Sequence, residues 1–247
     1  MSALNVLSTE PRIKHRLDPE RYEREAFANL GGVTASELEI SAIVQQLDRS
    51  MRESLLEIGV GPGRILEKLI DLGLHVVGID YDPKMVHHAA ARTKQHQGID
   101  LVVADGQNLP FKSSAFDAVV CVRVLKYFLL PQRGLKEMCS VLKPKGVLVL
   151  EFPNLISLSG LLQMYQLFTM HEFYPRLFKK STIEGFMTKN RVRVEAEHGL
   201  YKIPPKLWTL TKKKTVVEFL ILLERILQRV TPMELMSKSI LLQGRKT

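Results

Sequence analysis

LLEIGVGPGR, residues 55–64, runs a short apolar strand into three glycines, Gly59, Gly61 and Gly63, with a helical pattern opening directly behind them. A second apolar run, VVGID at residues 76–80, ends on Asp80, 17 residues past the last glycine. Glycines at a strand-to-helix turn let main chain and ligand approach closely, and a carboxylate at the tip of the next strand is placed to grip ribose hydroxyls. The pair points to an adenosine-containing ligand.

The spacing narrows the ligand further. A dinucleotide fingerprint needs a glycine where this chain has Arg64, and Gly63 comes one residue early. No Lys-Ser or Lys-Thr follows the glycines, which argues against a phosphate-cradling P-loop. Glu57 stands just ahead of the loop, inside an apolar strand end. A pyrophosphate would be repelled there, whereas S-adenosylmethionine brings a sulfonium and an ammonium and no phosphate. A plainer alternative remains, a hydrogen-bonded buried glutamate beside a turn.

With Glu57, Gly59, Gly61 and Gly63 in place, the segment resembles motif I of the class I S-adenosylmethionine-dependent methyltransferases, of the small-molecule, type 11 kind. Four further landmarks follow in order. VVGIDYDPKM resembles the second motif, in which the resemblance implies Asp80 on the ribose and Tyr81 and Met85 on the adenine ring. ADGQNLPF resembles the third, with Asp105 accepting from the adenine amino group and Gly106 offering main chain; taken alone, Asp105 also reads as a solvated turn residue. FDAVVCVRVLKYF resembles the fourth strand and its loop, where Val122 and Arg123 flank the methionine part through main-chain groups. VLKPKGVLVLEFPN resembles the turn often written L-K-P-G-G, except that Lys145 replaces a glycine and Gly146 is left to supply the permissive residue. The likeness covers residues 54–154 and implies S-adenosyl-L-methionine as cofactor, leaving S-adenosyl-L-homocysteine as product.

From Ser54 onward, apolar runs alternate with helical patterns, which predicts an α/β, Rossmann-like, mostly parallel seven-stranded sheet with helices on both faces and an antiparallel last strand. The expected strands are 55–58, 75–79, 101–104, 118–122, 147–152, 192–203 and 237–245. Helices are expected over 64–72, 83–95 with Asp82 as N-cap, 134–142, 178–190 capped near Ser181 or Thr182, and 216–230. Residues 19–47 read as helix broken at Gly31-Gly32. The organisation expected is one domain over 1–247: a helical cap (1–50), the cofactor core (54–154), a substrate-side insert (155–190), then C-terminal strands and helix (191–247).

Transfer to a hydroxyl calls for a base; transfer to an acidic carbon or free amine does not. The candidates are His171 in the insert, Tyr127 after the fourth strand and Glu151 at the end of the fifth. Each has a plainer role open to it: packing for His171 and Tyr127, and pairing with Arg123 for Glu151. Tyr22 could close over the cofactor or merely pack. His87, His88 and His96 lack a cysteine or carboxylate at ligand spacing, so no metal site is expected.

The net charge of +9 is unevenly placed. Residues 1–154 carry 19 Lys+Arg against 19 Asp+Glu, so the last third, with 16 against 7, holds all of the excess. Its insert, LISLSGLLQMYQLFTMHEFYPRLF, is apolar with a basic surround. It walls an apolar pocket or builds a small cap core of its own. Apolar wall and basic rim together suit a small amphiphilic, lipid-like acceptor, and also peripheral contact with an anionic membrane by helix 216–230, which the resemblance alternatively assigns to covering the sheet. An RNA-modifying enzyme is the rival reading, disfavoured because the cations are dispersed and no Asn/Asp-Pro-Pro-Tyr/Phe signature follows the fourth strand. A non-catalytic S-adenosylmethionine-binding partner is a third. Two cysteines without a disulfide framework, no apolar leader and no membrane-length run lead to an expected cytoplasmic location.

Overall fold

A computed structural model describes residues 29–47, 54–161, 176–230 and 236–247. Seven strands form one sheet in the order β3-β2-β1-β4-β5-β7-β6. They are β1 Ser54–Ile58, β2 His75–Asp80, β3 Ile99–Val103, β4 Phe116–Cys121, β5 Leu142–Pro153, β6 Val192–Leu200 and β7 Ser239–Lys246. β1 to β5 run parallel, and β7 inserts antiparallel between β5 and β6. The helices are α1 Leu30–Gln45, α2 Leu66–Ile70, α3 Pro83–Arg92, α4 Pro131–Val141, α5 Lys180–Lys189, α6 Pro205–Thr209 and α7 Lys214–Val230. This is the Rossmann-like sheet that the alternating pattern predicts.

Strand alternation divides the core into two layers. Leu55, Val76, Val120 and Val149 meet Ile43 of α1, Leu66 and Leu69 of α2 and Ala89 of α3 on one face. Leu56, Ile79, Val119 and Leu150 meet Leu135 and Met138 of α4 and Ile183 and Met187 of α5 on the other. Strands buried on both faces need near-continuous apolar sequence, which is why AVVC, residues 118–121, lacks a polar alternate. Full burial of each such side chain contributes roughly 1.5–3 kcal/mol. The chain leaves β1 toward β2 and β3, then returns to the opposite side of β1 as β4. Strand order thus reverses at the β1/β4 boundary, which opens a crevice at their C-terminal ends.

Several local expectations are corrected. Gly31-Gly32 lie in the first turn of α1, which the Asn29 side chain caps by accepting from the Gly32 amide at 3.0 Å; residues 19–28 of the expected helical stretch lie outside the described residues. A Cβ on Gly31 would stand 2.1 Å from the Trp208 carbonyl oxygen, so this glycine allows α1 to press against α6. α5 starts behind Lys179 with no side-chain cap, which leaves Ser181 and Thr182 inside its first turn. β5 begins at Leu142, ahead of the expected turn, and near its start Lys145 rather than Gly146 takes the left-handed conformation, φ +66°. Gly146 is instead required by crowding, since a Cβ there would lie 2.8 Å from the Lys143 carbonyl oxygen. β6 stops at Leu200 because Tyr201, φ +57°, turns the chain away. Finally, α7 packs Val217 and Leu220 on Ala35 of α1 and Trp208 of α6 in a third cluster, separate from the two that line the sheet.

Candidate functional site

A cavity of about 230 Å³ sits over the C-terminal ends of β1, β2 and β4. Of the residues proposed from sequence, Glu57, Gly59, Gly61, Asp80, Tyr81, Met85, Asp105, Gly106, Val122, Arg123 and Tyr127 line it. Gly63 does not: it faces α3, where a Cβ would come within 3.2 Å of the Ala89 Cα. Glu151 also lies off the cavity. Tyr22 and His171 fall outside the described residues.

The glycine loop is tied to the tip of β2. Asp80 accepts from the Gly61 amide through Oδ2 at 2.9 Å and from the Asp82 amide through Oδ1 at 2.9 Å. Asp82 in turn caps α3 by accepting from the Lys84 amide at 3.0 Å. Gly61, φ +53°, has open space where a Cβ would be, so its freedom serves the turn and leaves the cavity clear. Gly59, φ +75°, is also a close approach, because a Cβ would strike Val124 Cγ2 at 2.1 Å. Burial pushes the Asp80 carboxyl above its ordinary value, and the Asp82 and Gly61 amides pull it part of the way back.

Glu57 is the unusual group in this wall. It is 2% exposed, and its Oε2 has no hydrogen-bond partner among the described residues. Burial raises its pKa to about 8, with Arg64 opposing the shift and Asp80 adding to it. A buried carboxylate lacking a partner is costly and takes up a proton unless a cation arrives. The cavity therefore offers a cation-seeking oxygen beside a second carboxylate at a strand tip. That set fits an adenosine carrying an ammonium and rejects one carrying a pyrophosphate.

On the third strand's side, Asp105 Oδ1 accepts from the Gln107 amide at 3.0 Å and from Gln107 Nε2 at 3.1 Å. Gln107 Oε1 then accepts from the Leu130 amide at 2.7 Å, locking this loop to the start of α4. Glu151, 3% exposed, accepts from the Arg123 amide at 2.7 Å. Arg123 stands at φ +63°, with its amide engaged by a carboxylate that does not line the cavity. Glu151 therefore pairs with the main chain of Arg123 instead of its guanidinium, and the amide expected to meet a ligand is occupied.

The arginine side chains lead to residues that the sequence did not flag. Glu39 of α1, 1% exposed, pairs with Arg64 Nη2 at 2.6 Å and with Arg123 Nε at 2.9 Å. Arg64 Nη1 also donates to Ser36 Oγ at 2.7 Å, and Arg123 Nη2 donates to the Tyr201 hydroxyl. Burial would raise the Glu39 carboxyl, yet Arg123 and Arg64 together hold it below the ordinary value. Ser36 and Glu39 share one helix face at a spacing of three, the sole sequence signal for this cluster. Through it, α1 fastens the glycine loop, the β4 loop and the end of β6 into one wall.

Residues 56–150, which hold the strand tips just described, match the family model described as a methyltransferase domain. Over these residues the chain is similar to methyltransferases. An uncharacterized methyltransferase of Mycolicibacterium gilvum is 36% identical over 99 residues, 40% of this chain and 38% of that protein. A demethylmenaquinone methyltransferase of Corynebacterium urealyticum is 29% identical over 126 residues, 51% of this chain and 53% of that protein. The chain thus spans about half or less of the length of these curated relatives. Among solved structures, an S-adenosylmethionine-dependent methyltransferase of Thermotoga maritima, described as a possible histamine N-methyltransferase, superposes with a TM-score of 0.67 at 22% identity, covering 92% of this chain and 95% of that one. The matched residues therefore sit in a sheet that shares its fold with a solved methyltransferase, and the cavity lies over its topological switch.

Proposed function

We propose that the protein binds S-adenosylmethionine in this cavity and transfers its methyl group to a small amphiphilic acceptor. The observation that carries the donor is the unpartnered Glu57 oxygen beside Asp80, a pair suited to an ammonium and ribose hydroxyls and hostile to phosphate. When bound, the donor supplies a methyl group already activated by a sulfonium, so in-line attack needs alignment more than acid or base. Alignment by itself accounts for roughly 7–11 kcal/mol of barrier reduction.

The chain's own groups would divide the work. Glu57 neutralises the ammonium, Asp80 takes the ribose through lone pairs that its amide partners leave over, and Asp105 and Met85 bound the adenine. Tyr81 and Tyr127, both exposed at the rim, bring phenols to the mouth. Val122 and Val124 exclude water beside the β4 loop. Domain limits follow the same reading, with one unit running from the α1 cap through the core to the C-terminal strands.

An amphiphilic acceptor is supported by Leu158, 71% exposed, and Leu161, 56% exposed, which follow β5 on the cavity's edge of the sheet. No helix among the described residues is long and apolar enough to cross a membrane. The donor is tested by calorimetry with S-adenosylhomocysteine; no heat of binding from the folded protein would refute it. The acceptor is tested by mass spectrometry of a native extract incubated with protein and isotopically labelled donor. A labelled lipid-like metabolite supports the reading, and labelled RNA in its place overturns it.

A further inference from the structure

α7 has two apolar faces. Its inner face buries Val217 and Leu220 against α1 and α6. It also carries Glu224, which accepts from the Lys202 amide at 3.0 Å and the Ile203 amide at 2.9 Å. Gln228 points inward as well and donates to the Gly199 carbonyl at 2.7 Å. The outer face is where a surface helix normally places charge. Here it presents Val216, Phe219, Leu222 and Ile226, exposed by 41%, 60%, 56% and 46%. Just ahead in sequence, Leu207 and Leu210 are also exposed.

The charges around this stripe are nearly all of one sign. Lys212, Lys213, Lys214, Arg225 and Arg229 are exposed. Between Tyr201 and Val230 the acidic residues are Glu224, which is buried, and Glu218, which lies 3.9 Å from Lys214. A contiguous apolar stripe rimmed by cations is the composition of a helix that lies in a lipid interface. A second copy of the chain would bring like charges together across a two-fold axis, which opposes self-association. Nucleic acid would take the cations but would leave the aliphatic centre wet.

Strand direction relates this face to the cavity. β6 and β5 both run antiparallel to β7, so β6 ends on the same sheet edge as β5. Glu224 then fixes the middle of α7 to the main chain just past that end.

We propose that the outer face of α7, with Leu207 and Leu210, seats the protein on an anionic lipid bilayer at the edge where the cavity opens. This deepens the amphiphilic-acceptor reading and rests on it only for what the docked protein would meet. Phe219 and Leu222 would enter the acyl boundary while Lys212 to Lys214, Arg225 and Arg229 face the headgroups. Long aliphatic stems let these cations follow the surface while the apolar stripe stays inserted.

The test is sedimentation of the full chain with vesicles of phosphatidylcholine alone or mixed with an equal part of phosphatidylglycerol. Binding to the mixed vesicles should exceed binding to the neutral ones by about tenfold or more and weaken with salt. Phe219→Asp with Leu222→Asp should lower it by about tenfold or more. Lys212→Ser, Lys213→Ser and Lys214→Ser together should remove most of the salt dependence. These positions are exposed, so thermal melts and S-adenosylhomocysteine binding should stay unchanged, which separates failure here from failure of the donor reading. Equal binding to both vesicle types, or binding to neither, overturns the proposal. So does a concentration-dependent dimer in analytical ultracentrifugation that Phe219→Asp dissolves.

Discussion

Glu39 and Glu57 are both buried carboxylates near one cavity, and they have opposite fates. Glu39 sits between two guanidiniums, with both oxygens used and its carboxyl held below the ordinary value. Glu57 keeps one oxygen unpartnered, and its pKa is pushed up to about 8. Burial is nearly equal, so the difference lies in what the chain itself supplies. Around Glu39 the protein has completed its electrostatics and gains a wall. Around Glu57 it has left them incomplete, and the proposed function rests on a cation completing them.

The largest expected effect breaks the completed side. Glu39→Ala strands Arg64 and Arg123 without their carboxylate and should cost about 3–5 kcal/mol in urea unfolding. A loss below about 1 kcal/mol would show that water replaces the pair. The second test addresses Glu57 through pH. Its folded value lies above the ordinary 4.5, so the ligand-free fold holds the extra proton and loses stability as pH rises from about 4.5 through about 8. A cationic donor needs the carboxylate, so affinity for S-adenosylhomocysteine, which keeps the ammonium, should rise with pH. Between pH 6 and 8 the ionised fraction climbs about fifty-fold, which bounds the gain. Glu57→Gln should flatten that profile; an unchanged slope in the variant would assign the proton elsewhere.

Smaller effects sharpen the contrast. Asp80→Ala should weaken S-adenosylhomocysteine binding by about tenfold in a folded variant, as charge-assisted contacts to the ribose are lost. Calorimetry giving the wild-type affinity would remove Asp80 from the ligand. Tyr201→Phe deletes one hydroxyl from the completed side while Glu39 still holds Arg123. About 1 kcal/mol of stability and no change in donor affinity are expected there.

Sequence disclosed the Glu57 side far better than the Glu39 side, for a reason of distance. Strand tips, the glycine loop and the Asp82 cap are short-range features, each decided by main-chain geometry within a few residues. Arg64 reaches Glu39 across 25 positions and Arg123 reaches it across 84. No local pattern encodes such a meeting. Arg64 was visible only as a missing dinucleotide glycine, and its partner on α1 needed the fold. The occupied Arg123 amide was hidden likewise, because Glu151 takes it across 28 positions. Lys145 shows another limit: the turn demanded a left-handed residue, and a lysine adopted that conformation beside a glycine needed for space. The doubly apolar α7 lay between these cases, since its periodicity was legible while the face that met α1 was not.

The position of β7 has a consequence for how the protein is made. β6 has no pairing with β5; its ladder is with β7. Residues 201–238 separate the two strands in the chain. At a synthesis rate of about 5–20 residues per second, β6 leaves the ribosome roughly 2–8 s before its neighbour. During that interval β5 presents an open edge, and Ile240, Leu241 and Leu242 have yet to arrive to cover it. The sheet is thus closed like a keystone arch, by a late piece set between two earlier ones, and the nascent chain is most exposed to misassembly just before that piece is placed.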